Sequence, residues 1–83
     1  MKKTVIEKIA NRISKKYGMP KPIVIRKRNG PHGYLGIEIR TELPSYEGGD
    51  EMSVAIEKYF KDKLNIEIIV ENQGGCVYFA YIP

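Results

Sequence analysis

Two helical stripes, each followed by two alternating segments joined at a turn, predict an α+β protein. The predicted architecture has two layers, in the order helix-strand-strand-helix-strand-strand. Its four-stranded, mainly antiparallel sheet carries both helices on one face. Three observations carry this reading: apolar residues at helical spacing over 4–17 and 50–64, period-two alternation over 23–41 and 66–82, and turn-forming residues at each junction.

The first helix spans residues 4–17. Thr4 followed by Glu7 fits a capping box, and Val5, Ile6, Ile9, Ala10, Ile13 and Tyr17 form one stripe. Lys8, Arg12, Lys15 and Lys16 fall off that stripe, the last two where positive charge suits the helix C-terminus. Gly18 then suits a left-handed cap, and Pro20 forbids continuation.

Pro22–Thr41 reads as a hairpin. Ile23 and Ile25 are expected on the core face with Leu35, Ile37 and Ile39, leaving Val24, Arg26, Arg28, Tyr34, Glu38 and Arg40 opposite. Glu38 is expected to pair with an arginine across the strands. By parity Lys27 falls on the apolar side, so its head must lie beyond the core edge.

After a loop over 42–50, the second helix runs from about Asp50 to Leu64, with Met52, Ile56, Tyr59, Phe60 and Leu64 as its apolar stripe. In the strand over 66–71, Ile66, Ile68 and Val70 point inward. Asn72-Gln73-Gly74-Gly75 supplies the turn, and Val77–Ile82 is apolar on both faces, as in a strand covered on both sides. Segments 4–41 and 51–83 share an order of elements and suggest a weak internal duplication within one domain, 1–83. The exposed sheet face is expected to carry Val24, Tyr34, Ile69 and either Tyr78 or Phe79.

Composition narrows function. Of 83 residues, 42% are hydrophobic and 29% charged, which suits a folded domain. No run approaches the roughly 18 apolar residues of a membrane span, and the N-terminus lacks an apolar signal core, so the expected location is cytoplasmic, away from membranes. The one cysteine agrees with a reducing compartment. The net charge of +4 is unevenly distributed: residues 1–41 hold eleven Lys/Arg against two acids, and 42–83 hold three against eight. Such asymmetry points to a surface for an anionic partner, or to neutralisation between the halves within a molecule or across a dimer.

Chemistry is sparse. His32 and Cys76 each lie near a hairpin turn, and a Cys–His pair would need contact and a third orienting group. One His and one Cys cannot build a structural zinc site, and Glu47, Asp50 and Glu51 lack calcium-loop spacing. No catalytic residue, metal site or cofactor is therefore expected, and the protein reads as non-enzymatic. Gly30-Pro31-His32-Gly33 spells the GXXG string of KH domains, but that loop joins helices and this one joins strands, so the glycines read as turn formers.

The expected function is nucleic-acid binding through the basic hairpin and the first helix. Arg26, Lys27, Arg28, Asn29, His32, Tyr34 and Arg40 mix phosphate-binding cations with stacking groups, and Arg12, Lys15 and Lys16 extend the surface. The alternative is a protein-binding module: a homodimer, or an inhibitor or adaptor of the kind that phages and mobile elements carry. The doubly apolar last strand would then be partner-facing.

Overall fold

The computed structural model describes residues 2–27, 30 and 33–83, without the Lys27 side chain. The described elements are α1 (Lys3–Lys16), β1 (Ile23–Lys27), β2 (Gly36–Arg40), a short 3-10 turn (Ser45–Glu47), α2 (Gly49–Leu64), β3 (Ile69–Asn72) and β4 (Val77–Tyr81). The strands form one sheet in the order β1-β2-β4-β3, with every neighbouring pair antiparallel. This is the α+β order that the apolar periodicities predict. Chain order and sheet order differ because β4 inserts between β2 and β3, which α2 connects.

Apolar stripes from both helices meet one face of the sheet. Ile6, Ile9, Ala10 and Ile13 of α1 join Met52, Ile56 and Phe60 of α2 over Val24, Ile37, Ile39, Val70, Tyr78 and Ala80. Tyr78 is fully buried, and its hydroxyl donates to the Leu43 carbonyl at 2.7 Å, drawing Leu43 into the core from the connection before α2. Burial pushes the Tyr78 phenol pKa upward.

The helix ends divide between expectation and correction. Gly18 has φ +71°; its N–H reaches the Lys15 carbonyl at 3.1 Å, and Met19 N–H reaches Ser14 at 2.8 Å, a Schellman closure of α1. The Thr4–Glu7 capping box does not form. Lys2 is the N-cap and makes no side-chain cap bond, Thr4 lies within the helix, and Glu7 pairs instead with Lys3 at 3.4 Å. With the N-cap two residues earlier, at Lys2, Thr4 is removed from the position where its hydroxyl could cap.

The first strand presents the opposite face from the one expected. Pairing Val24 with Ile39 and Arg26 with Ile37 directs Val24 into the core, where it is 7% exposed, and leaves Ile23 60% exposed. The physical reason lies in the edge position. Val24 enters the core cluster on the side where α1 packs against β1, and strand parity then places Ile23 and Ile25 opposite. Leu35 precedes β2 and is exposed rather than joining Ile37 and Ile39.

β4 is covered on both faces, as its composition predicts, but the cover comes from its own chain. Phe79 and Tyr81, on the face away from the helices, are 1% and 4% exposed. Gly30 and Gly36 lie so close to the Phe79 ring that a Cβ at either position would overlap it. Tyr34 stacks on Tyr81 with centroids 4.9 Å apart and planes within 13°. Gly30 is thus needed for close approach, whereas Gly33 has the left-handed φ, +75°, that a turn asks of glycine. At the second hairpin the Asn72 side chain spans the turn, donating to the Gly75 carbonyl at 2.9 Å and accepting from Gly74 N–H at 3.0 Å.

Candidate nucleic-acid interface

Among the described residues, the cations proposed from sequence are divided between the two faces of the sheet and α1. Register places Arg26 on the helix side of the sheet, opposite Ile37, and Arg40 on the other side, opposite Val77. The expectation that Arg26, Arg40 and Tyr34 share a face is corrected by the same one-residue parity that buries Val24. Arg26 is exposed and lines a groove of about 380 Å³ with Tyr34, Leu35, Ile37 and Ile82. Arg28, Asn29 and His32 lie outside the described residues, as does the Lys27 side chain.

Two of the proposed cations are already neutralised. Arg40 Nε lies 2.6 Å from Glu38 Oε2, and the Glu38 side chain is only 7% exposed. This pair is made two residues apart along one strand, because residues i and i+2 share a face. Lys16 donates to Glu51 Oε2 at 2.7 Å, and the Tyr17 hydroxyl donates to Oε1 at 2.6 Å. This cluster ties the end of α1 to the start of α2. Hydrogen bonds from Lys16 and then Tyr17 lower the Glu51 pKa, while the bond to Glu51 raises those of Lys16 and Tyr17.

Besides Arg26 and Lys21, the described exposed cations without an ion pair include a stripe on α1. Lys8, Arg12 and Lys15 are exposed, and none has an ion-pair partner among the described residues. Spacings of four and three residues keep them on one side of the helix. Arg12 also lines a groove of about 250 Å³ between the helices, with Ile9, Ala55, Lys58, Tyr59, Asp62 and Lys63. Lys58 and Lys63 add charge across the groove, Asp62 subtracts from it, and Tyr59 is 37% exposed beside them. Of these, Lys8, Lys58, Tyr59 and Lys63 were absent from the sequence-derived site. Helical spacing could have found Lys8; nothing in the sequence reports that α2 lies beside Arg12.

Tyr34 is engaged with Tyr81. The Tyr81 hydroxyl donates to Glu71 Oε1 at 2.7 Å, and this bond, with burial and the nearby carboxylate charge, pushes its pKa up to about 12. Cys76 is half-buried, and its carbonyl accepts from Thr41 N–H at 3.1 Å. Among the described residues no group of three His, Cys, Asp or Glu could hold a metal ion, and no helix is long and apolar enough to cross a membrane.

The described residues define a class by fold: a small α+β protein with two helices on one face of a four-stranded antiparallel sheet. Compared with known proteins, the chain matches no family model, no curated protein and no solved structure.

Proposed function

We propose that this is a non-enzymatic protein that binds nucleic acid across its helix layer, with Lys8, Arg12 and Lys15 as the principal phosphate contacts. The observation that carries the reading is the contrast along α1. Lys3 and Lys16 are paired with Glu7 and Glu51, whereas the exposed Lys8–Arg12–Lys15 stripe has no acid paired to it among the described residues. At about 1.5 Å rise per residue, Lys8 to Lys15 covers roughly 10 Å of helix axis. A duplex carries about one charge per 1.7 Å, so several phosphates fall within that reach. Lys58 and Lys63 widen the surface, and Tyr59 offers a ring edge at its margin. The contacts are to backbone charge, so the binding expected is salt-sensitive and weakly selective in sequence.

The test is fluorescence anisotropy with labelled single-stranded and duplex 20-mers at 50–200 mM salt. Binding should weaken linearly on a log–log scale with a slope of about −2 to −3, since each phosphate contact contributes a little under one unit. The triple variant Lys8→Gln, Arg12→Gln, Lys15→Gln should lose most of that slope and keep its melting temperature, because all three side chains are exposed. No binding at 50 mM salt overturns the proposal. So does a triple variant that binds like the parent.

A further inference from the structure

The two edges of the sheet are finished differently. On the β3 edge, α2 supplies a carboxylate: Glu57 Oε2 accepts the Val70 N–H at 2.9 Å. A strand approaching there meets an occupied donor and a negative side chain. On the β1 edge nothing comparable occurs. Ile23–Lys27 pairs with β2 on one side, and no backbone group of β1 bonds to any other described residue. An uncovered row of N–H and C=O groups is a template for another strand.

We propose that the β1 edge accepts an added strand from an acidic partner segment in which acidic and apolar side chains alternate. The apolar component is set by Ile23, 60% exposed, and half-buried Ile25, both on the face away from the helices. Side chains of an added strand on that face would continue this apolar surface. The charge component comes from Lys21 and Arg26, both exposed and without ion-pair partners among the described residues. Between Glu7 and Glu38 the chain has no acid, and Glu38 is paired with Arg40.

The same charges choose between occupants. Two β1 edges meeting antiparallel would bring Lys21 and Arg26 of both copies together, which disfavours self-pairing. A second copy's β3 carries acids, but its edge is occupied by Glu57. Main-chain hydrogen bonds would supply the affinity and alternating side chains the selection, as in strand addition generally.

The experiment titrates isotope-labelled protein with a blocked seven-residue peptide alternating Glu and Val, and separately with its Lys/Val counterpart. The Glu/Val peptide should bind saturably, shift the amides of residues 23–27 and slow their exchange. The Lys/Val peptide should bind at least tenfold more weakly. Arg26→Glu should reverse that preference while leaving the fold intact, since Arg26 is exposed. Four results would each overturn the proposal: no binding of the Glu/Val peptide at 50 mM salt, shifts confined to α1, equal binding of both peptides, or a protein that dimerises through β1 without peptide.

Discussion

The Gly49 backbone lies against the hydroxyl of Tyr78, so closely that a Cβ at Gly49 would overlap the phenol oxygen. The hydroxyl in turn donates to the Leu43 carbonyl, and neither Tyr78 nor Leu43 is exposed. One buried phenol thus joins the second hairpin to the approach into α2. Tyr78→Phe would leave the Leu43 carbonyl buried and unpaired, a loss of about 1–3 kcal/mol. In a domain of this size each kcal/mol lowers Tm by about 4–8 °C. Gly49→Ala should destabilise by a similar or larger amount through overlap. Thermal unfolding followed by circular dichroism checks both, and a Tyr78→Phe protein as stable as the parent would refute the linkage.

The face presented by β1 makes a prediction that separates structure from sequence pattern. Val24→Ala should cost about 1–2 kcal/mol, because it removes a buried side chain beneath α1. Ile23→Ser should stay within about 0.5 kcal/mol, because Ile23 is mostly exposed. Urea denaturation of the two variants measures this directly. Alternation read from sequence alone predicts the reverse order.

The Glu51 cluster predicts an acid limb in the stability profile. Bonds from Lys16 and Tyr17 hold the Glu51 pKa below its ordinary value of 4.5 in the folded state. Its contribution is therefore present above pH 4.5 and lost as pH falls through the lower folded value. Glu51→Gln should flatten this part of the profile below pH 4.5. Lys16 has its pKa raised above 10.5, so its contribution is intact below that value and lost at higher pH. Chemical unfolding across the pH range reads both limbs.

Tyr81 should be among the last tyrosines to ionise. Its folded pKa of about 12 lies above the ordinary 10.0, so the unfolded state releases this proton first. Stability is accordingly lost as pH rises from 10 toward 12. Removing the Glu71 charge by Glu71→Gln should bring the Tyr81 transition to lower pH, visible in ultraviolet titration of the phenolates. An unchanged titration curve would show that Glu71 does not hold this proton.

Legibility in the sequence followed the range of the interactions involved. The buried stripes of α1 and α2 were readable because a helix repeats its own period along one segment, as in Ile6, Ile9 and Ile13. Gly18 was readable as a cap for the same local reason. Val24 was not, because an edge strand offers apolar residues on both faces and the choice is made by its register on β2 and its packing under α1. The candidate site was legible only in part. Arg12 and Lys15 stand exposed as expected, but Lys16 and Arg40 are paired with Glu51 and Glu38, and charge counting cannot see which cation an acid will take.

The sequence by itself determined the element order, the α+β class, the apolar content of β4 and the concentration of positive charge before residue 42. Local periodicity and composition carry those, since each depends on neighbours within a few residues. Only the tertiary structure decided that β4 lies between β2 and β3, that Gly30 and Tyr34 cover Phe79 and Tyr81, and that Glu57 bonds one sheet edge while no described residue beyond β2 bonds the backbone of β1. Those features depend on contacts between residues distant in the chain, where pairing register and side-chain reach, rather than residue type, select the partner.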